Sequence, residues 1–352
     1  MTKYFVYLFA IILLLTGSDC KKNPVAPPPP NGSDTTSNNF TFQTFTFGGN
    51  AGSCLFQDVA IISDTDIWAV GAVYLDSANG NHDPFPYNTA HWNGISWQLL
   101  KISVQTKYGL ITEPLNGIFA FSSNDIWLVA GDPIHGDGNN WIDYDIRDLI
   151  GNQNIDVSKA WGINSNSMYF VGSGGNIVYY NGISWTKITS GTSLTFNDIY
   201  GSGGQILAVC IQFSPPGGAI FNIQGNNATQ ISSSPVSQHQ FFSIWFVPDR
   251  QYYIVGDGIY QKNSLSDSTW RNGPLDITNY GTTKVRGNGT NDVFIVGAYG
   301  EFLHWNGARW MSFIAQTSLA DGYYGSVAVS GNLVVAVGQN GIQAVITIGR
   351  RQ

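Results

Sequence analysis

Two histidines, His82 and His135, stand in acidic surroundings, with Asp83 beside the first and Asp132 and Asp137 flanking the second. Imidazole and carboxylate groups together can ligate a divalent metal or share a proton. Their spacing matches no metal-ligand motif. Asp137-Gly138-Asn139 also lacks the alternating acidic ligands and distant Glu of a calcium loop, so no metal and no cofactor are expected. A second group is aromatic. Tyr74, Phe85, Tyr87, Tyr108 and Trp141 occur among Asn and Asp, and ring faces of this kind stack on the apolar faces of sugars. Aspartates from the same stretches could act as a glycosidase pair, although no spacing selects two of them. Other chemistries lack their motifs: SGTSL and YGSGG do not form a serine nucleophile elbow, and no phosphate loop or dinucleotide fingerprint is found.

The elements that must hold these residues are short strands. The 352 residues are 43% apolar and 11% charged, with 41 glycines, 17 tyrosines and only two glutamates, Glu113 and Glu301. This composition excludes disorder and long helices and favours strands joined by tight turns. A net charge of −7 argues against a general phosphate-binding surface, and no nucleic-acid partner is expected.

One unit recurs along the chain, most clearly as NSMYFVGSGGNIVYYNGISW (166–185) and NDVFIVGAYGEFLHWNGARW (291–310). Aligned on the Val-Gly position, its anchors are Gly71, Gly131, Gly172, Cys210, Gly256, Gly297 and Gly338. Each unit holds four strand-length segments, A to D, with Asn-Gly between C and D read as a primed hairpin turn. Seven such units predict an all-β, seven-bladed β-propeller over 40–352. The seventh unit supplies three strands, and the alternating FTFQTFTF (40–47) is expected to complete it and close the ring.

The A–B and C–D turns share one face and are short. The B–C and D–A loops share the other, where 75–88, 132–140 and 212–218 read as insertions and 104–116 and 232–240 as long links. Binding residues commonly ride on such loops over a rigid frame. Tyr74, His82, Asp83, Phe85, Tyr87, Tyr108, Asp132, His135, Asp137 and Trp141 are therefore the candidate ligand-binding set. His91 and His304 repeat at one C-strand position and read as structural, as do Trp97, Trp185, Trp270 and Trp310 on strand D. Cys54 and Cys210 fall in opposite blades and are expected to be buried free thiols.

The repeat resembles secreted bacterial propellers of the Asp-box and photosystem-assembly-factor families, with their G-x-I-x-x-x-x-G-x-x-W type unit. That resemblance implies the fold and leaves activity open, because such repeats occur in hydrolases, lectins and scaffolds. Sialidase-like relatives need three arginines and a Tyr–Glu pair. Here Arg147, Arg250, Arg271, Arg286 and Arg309 share no repeat position, so no catalytic residue is assigned.

At the N-terminus, Lys3, an apolar run from Tyr4 to Leu15 and small residues before Cys20 read as an export signal, too short to span a membrane. Residues 1–20 resemble a bacterial lipoprotein signal ending at a lipidated Cys20. Gly17 and Asp19 depart from that pattern, and ordinary signal cleavage is the alternative. Residues 21–39, with Pro27 to Pro30, read as a tether. The expectation is a monomeric, exported cell-envelope propeller, an outer-membrane lipoprotein or else secreted or periplasmic. It would bind an envelope or extracellular protein or glycan without catalysis. A glycan-active hydrolase and a structural envelope-assembly module are the alternatives.

Overall fold

The computed structural model describes residues 35–50, 52–76, 83, 85–273 and 276–352. The export signal, Cys20, His82 and all but the last residues of the tether lie outside them. Seven four-stranded antiparallel sheets form the ring, each a blade. Blade 1 runs Leu55–Ser63, Asp66–Val73, Tyr87–Trp92 and Trp97–Leu100 as strands A to D. Blade 2 runs Gly117–Ser122, Asp125–Val129, Pro133–Gly136 and Trp141–Asp143. Blade 3 is Lys159–Asn164, Ser167–Val171, Ile177–Tyr180 and Trp185–Ile188. Blade 4 is Thr195–Ser202, Gln205–Phe213, Pro216–Gln224 and Asn227–Ile231.

Blade 5 holds Phe241–Val247, Gln251–Gly256, Ile259–Lys262 and Arg271–Asn272. Blade 6 holds Thr282–Gly289, Asp292–Gly297, Phe302–Trp305 and Trp310–Ser312. Blade 7 takes strands A to C from Gly322–Ser330, Leu333–Asn340 and Gln343–Arg351. Its strand D is Phe40–Phe47, paired in unbroken register from Phe40 with Arg351 to Phe47 with Ala344. The N-terminal strand therefore latches the ring and leaves no free edge on strand C.

The apolar core lies between blades. Seven clusters of buried side chains each straddle one seam, including one that joins blade 7 to blade 1 through Val335, Ile346, Phe56 and Ala69. Trp97 packs on Phe45 and Phe47 of the latch, Trp185 on Trp127 of blade 2, and Trp310 on Tyr253 of blade 5. The strand-D tryptophans thus reach back to the preceding blade, as their repetition implied. Cys54 and Cys210 are buried free thiols.

The Val-Gly signature has a steric cause. Strand A bulges opposite it, between Phe241 and Ser243 in blade 5 and between Tyr324 and Ser326 in blade 7. A Cβ on Gly256 or Gly338 would stand 1.9 Å from the Gln240 or Tyr323 carbonyl oxygen, so a side chain there is blocked by backbone. The Asn-Gly hairpins differ from the expected two-residue primed turn. Trp92 pairs with Trp97, leaving the four-residue loop Asn93–Ser96, in which Gly94 takes positive φ and Asn93 does not. Asn93 Oδ1 instead accepts the amides of Ile95 and Ser96, each at 3.0 Å. The asparagine acts through its side chain.

Two presumed insertions are strands. The segment 132–140 forms strand C of blade 2 and its turn into strand D, and 212–218 extends the B–C hairpin of blade 4. Short polar stretches with Gly and Pro read as loops, yet pairing with the neighbouring strands of their own blades drew both into sheets.

Candidate functional site

Strand A of every blade lines the central channel, and the bulge sets which side chain enters it. The residue paired with the Val of each Val-Gly signature is Asp58, Lys159, Asp198, Ser243, Lys284 and Ser326 in blades 1, 3, 4, 5, 6 and 7. Gly117, opposite Val129, holds that place in blade 2. One repeat position thus builds a ring of alternating charge and hydroxyl. Two residues further along strand A lies a second tier, with Phe119, Trp161, Tyr200, Trp245 and Arg286 beside the small Ala60 and Ala328. The two tiers enclose a cavity of about 240 Å³.

The polar tier is hydrogen-bonded across blades. Asp198 is 1% exposed and accepts from Arg286 Nη1 and Nη2 at 2.9 and 2.8 Å, Lys284 Nζ at 2.8 Å, Ser243 Oγ at 2.6 Å and the Ile244 amide at 3.1 Å. Burial opposes its ionisation, but Arg286 and Lys284 outweigh burial and hold the carboxyl far below the usual range. Asp58 takes Lys159 Nζ at 3.1 Å and Ser326 Oγ at 2.7 Å. Burial raises its pKa, and Lys159 with Lys284 brings it below the normal value. Lys284 is itself pushed down to about 8 by burial and by Arg286, against the pull of Asp198 and Asp58. The channel holds three cations and two carboxylates, a local excess of one positive charge in a chain of net charge −7.

His135 does not lie in a loop. It sits on strand C of blade 2 opposite Trp127, the place His91 takes opposite Trp68 and His304 opposite Phe294. In all three blades the ring stacks on that aromatic, with centroids 4.2 to 4.3 Å apart, and Nε2 lies 2.8 to 2.9 Å from the first residue of strand B, Asp66, Asp125 or Asp292. Each aspartate also grips the next blade. Ser123 of blade 2 donates to Asp66, Ser165 of blade 3 to Asp125, and Arg351 of blade 7 to Asp292. The histidines therefore belong to seam stitches, His135 included.

Asp137 caps its hairpin on the same face, with the Asn140 side chain and the Asn140 and Asn139 amides holding its carboxyl down near about 2. Trp141 packs edge-on against Trp68, and with Asp137 it lines a groove between blades 1 and 2 on the short-turn side. These three of the ten candidate residues are thus corrected to the face opposite the long loops.

Two of the ten do meet on the long-loop face. Tyr108, at the tip of the hairpin Val104–Thr106 and Gly109–Ile111, and Asp132, in the B–C turn of blade 2, line a pocket of about 320 Å³ with Glu113, Asp143, Asp145 and Arg147. Asp132 is buried, accepting from the Ile146 amide at 3.1 Å and from Arg147, and desolvation raises its pKa. Burial and the neighbouring Asp132 and Asp145 carboxylates push Asp143 up to about 6. Around the pocket Tyr108, Leu110 and Leu149 are exposed by 82%, 69% and 55%.

The rest of the set is dispersed. Asp83 pairs with Lys101, whose ammonium lies 4.9 Å over the Tyr87 ring, and Phe85 is exposed. Tyr74 packs beside Cys54, its amide 3.2 Å from the Cys54 Sγ. A second cleft on the long-loop face, over blades 5 to 7, was not anticipated. Tyr299 and Tyr323 line it with Asp257 and Asp321, and Tyr280 stands 5.2 Å from Tyr299.

Among the channel residues, Arg286 was set aside in sequence as scattered. The available signal was FQDV (56–59) beside FNDI (196–199), which aligns strand A in its own right and brings the channel position into one column.

No protein-family model and no curated protein matches the sequence. Solved propellers match the fold. YCF48 bound to D1 peptide superposes with a TM-score of 0.65 at 13% identity, covering 88% of this chain and 97% of that one. The WD40 propeller domain of Doa1 gives 0.57 at 12%, covering 88% and 97%. A catalytically inactive virginiamycin B lyase from Staphylococcus aureus with quinupristin gives 0.58 at 12%, covering 89% and 100%.

Proposed function

We propose that this chain is an exported, lipid-anchored propeller that binds an extracytoplasmic protein at its long-loop face without catalysing a reaction. The observation that carries the reading is the blade 1–2 quadrant of that face. Exposed Tyr108, Leu110 and Leu149 surround an acidic pocket there, on links held by a rigid ring. Exposed apolar side chains near carboxylates suit a protein segment carrying both apolar and basic residues. Thr36 bonds Asn291 and Asn306, in the A–B and C–D turns of blade 6, which places it on the short-turn side. YCF48 with its D1 peptide shows that a propeller of this architecture holds a peptide.

A photo-crosslinking residue at position 108, with position 183 as control, tests the reading in cells. Ile183 is 92% exposed, in the C–D turn of blade 3 on the short-turn face. One discrete protein adduct at 108 and none at 183 is expected, and equal labelling at both sites sinks the proposal. The anchor is tested separately, by loss of radiolabelled palmitate on Cys20→Ala, with unchanged labelling counting against it.

A second reading rests on Asp143. A carboxyl titrating near 6 beside ionisable Asp145 has the properties of a general acid for glycan hydrolysis. Hydrolysis of a chromogenic glycoside that disappears in Asp143→Asn supports it, and wild-type turnover unaffected by that change removes it.

A further inference from the structure

The channel offers a cation that its own surroundings do not fully use. Lys284 Nζ is an ammonium with three N–H donors, and its side chain is 5% exposed. Among the described residues one acceptor, Asp198 Oδ1 at 2.8 Å, lies within hydrogen-bond distance. Lys159, by contrast, donates to Asp58 Oδ2 and to the Gln57 and Asn116 carbonyls. Arg286 directs Nη1 and Nη2 onto Asp198 and Nη1 also onto the Ile244 and Val285 carbonyls. Unmet donors on a buried charge are costly, and the channel as a whole, with Arg286 counted, carries one more cation than anion. What lies beside Lys284 is the second tier, in which the side chains of Phe119, Trp161, Tyr200 and Trp245 line the same cavity, with the Arg286 guanidinium over the Tyr200 ring. Its volume of about 240 Å³ is below the ~300–1,000 Å³ usual for drug-sized ligands.

We propose that the channel binds a small aromatic monocarboxylic acid, its carboxylate on Lys284 and its ring against the Trp161–Tyr200–Trp245 tier. The carboxylate brings the one negative charge the channel lacks and accepts the free N–H donors. The ring is shielded from water by side chains contributed by three successive blades. The site is separate from the long-loop pocket, and it stands or falls independently of partner binding there.

Titration of the full chain with indole-3-acetate, and with indole-3-acetamide as the neutral isostere, reads this directly by calorimetry. Single-site binding of the acid is expected, with the amide at least about tenfold weaker. A second measurement needs no variant. The groups facing Lys284 are Asp58, Asp198, Lys159, Arg286 and Tyr200, and among them burial and Arg286 push Lys284 itself down to about 8. Affinity for the acid should therefore fall by about tenfold per pH unit above the Lys284 pKa of about 8, while any binding of the amide stays level.

Lys284→Met, kept only if its circular dichroism matches wild type, should abolish acid binding. Trp161→Ala should weaken the acid and leave the pH dependence intact. Equal affinity for acid and amide, a flat pH profile, no heat with either compound, or inorganic phosphate binding as tightly as the acid would each overturn the proposal.

Discussion

The channel ring and the seam stitches are both made from a single position repeated around the propeller, and they treat that position in opposite ways. The stitches repeat the residues as well as the place: aspartate on strand B, histidine on strand C, an aromatic beneath, in blades 1, 2 and 6. Repetition of identity means that each copy solves the same local problem, which is to tie a strand-B aspartate to the following blade. The channel position repeats the place and changes the residue, giving Asp, Gly, Lys, Asp, Ser, Lys and Ser in order round the ring. No blade can satisfy such a residue alone. Asp198 of blade 4 is met by Ser243 of blade 5 and by Lys284 and Arg286 of blade 6, and Asp58 of blade 1 by Ser326 of blade 7 across the closing seam.

The largest effect separating the two regions is expected at Asp198. Asp198→Asn removes the anion on which a buried lysine and arginine converge, and breaking a buried ion pair from one side costs about 3–5 kcal/mol. Asp58→Asn should cost less, because its partner Lys159 retains the Gln57 and Asn116 carbonyls and some exposure. Urea unfolding compares them, and equal midpoints would mean that the channel is as modular as the stitches.

Within the stitches the cost should follow burial. His304 is fully buried, bonded to Asp292 and to Asn38 Oδ1 at 2.6 Å, and His304→Ala should lose about 2–3 kcal/mol from the cavity and the unpaired groups it leaves. The His135 side chain is 30% exposed, and His135→Ala should lose about 1 kcal/mol. Thermal melts that rank them the other way would break the reading that one device serves in three copies of unequal burial.

The contrast also explains what the sequence made legible. Seven units, the Phe/Thr latch and the inter-blade tryptophans were readable because each is a repeated identity or a strict alternation. FLHW at 302–305 and FTFQTFTF at 40–47 match their observed strands residue for residue. His135 was misplaced because its Gly131-Asp132-Pro133 neighbourhood suggests a loop, and only pairing with Trp127 makes it a strand. The channel stayed hidden for a different reason: a column reading D, G, K, D, S, K, S has no motif, and its members are brought together by ring closure, which local pattern does not encode. The acidic pocket was half visible. Tyr108 and Asp132 belong to the candidate set, whereas Asp143 does not, because its raised pKa comes first from burial and then from carboxylates that only folding brings near it.

The smallest effect is also the one that divides the two regions most cleanly, because it needs only a change of pH. His304 has its pKa lowered from 6.5 by burial, which outweighs Asp292, and Asp198 and Asp58 have theirs lowered from 3.8. In each case the folded chain holds the proton less well than the unfolded chain. Stability from these groups is therefore complete above the unfolded value and declines as pH falls below it. The stitch of blade 6 should begin to lose stability below about pH 6.5, and the channel carboxylates only below about pH 4. Unfolding free energy measured from pH 8 to pH 2 should accordingly fall in two stages. His304→Phe, which keeps a ring against Phe294 and cannot titrate, should flatten the upper stage and leave the lower one unchanged. A single acid transition, or an upper stage that survives His304→Phe, would show that the stitch and the channel do not titrate as separate devices.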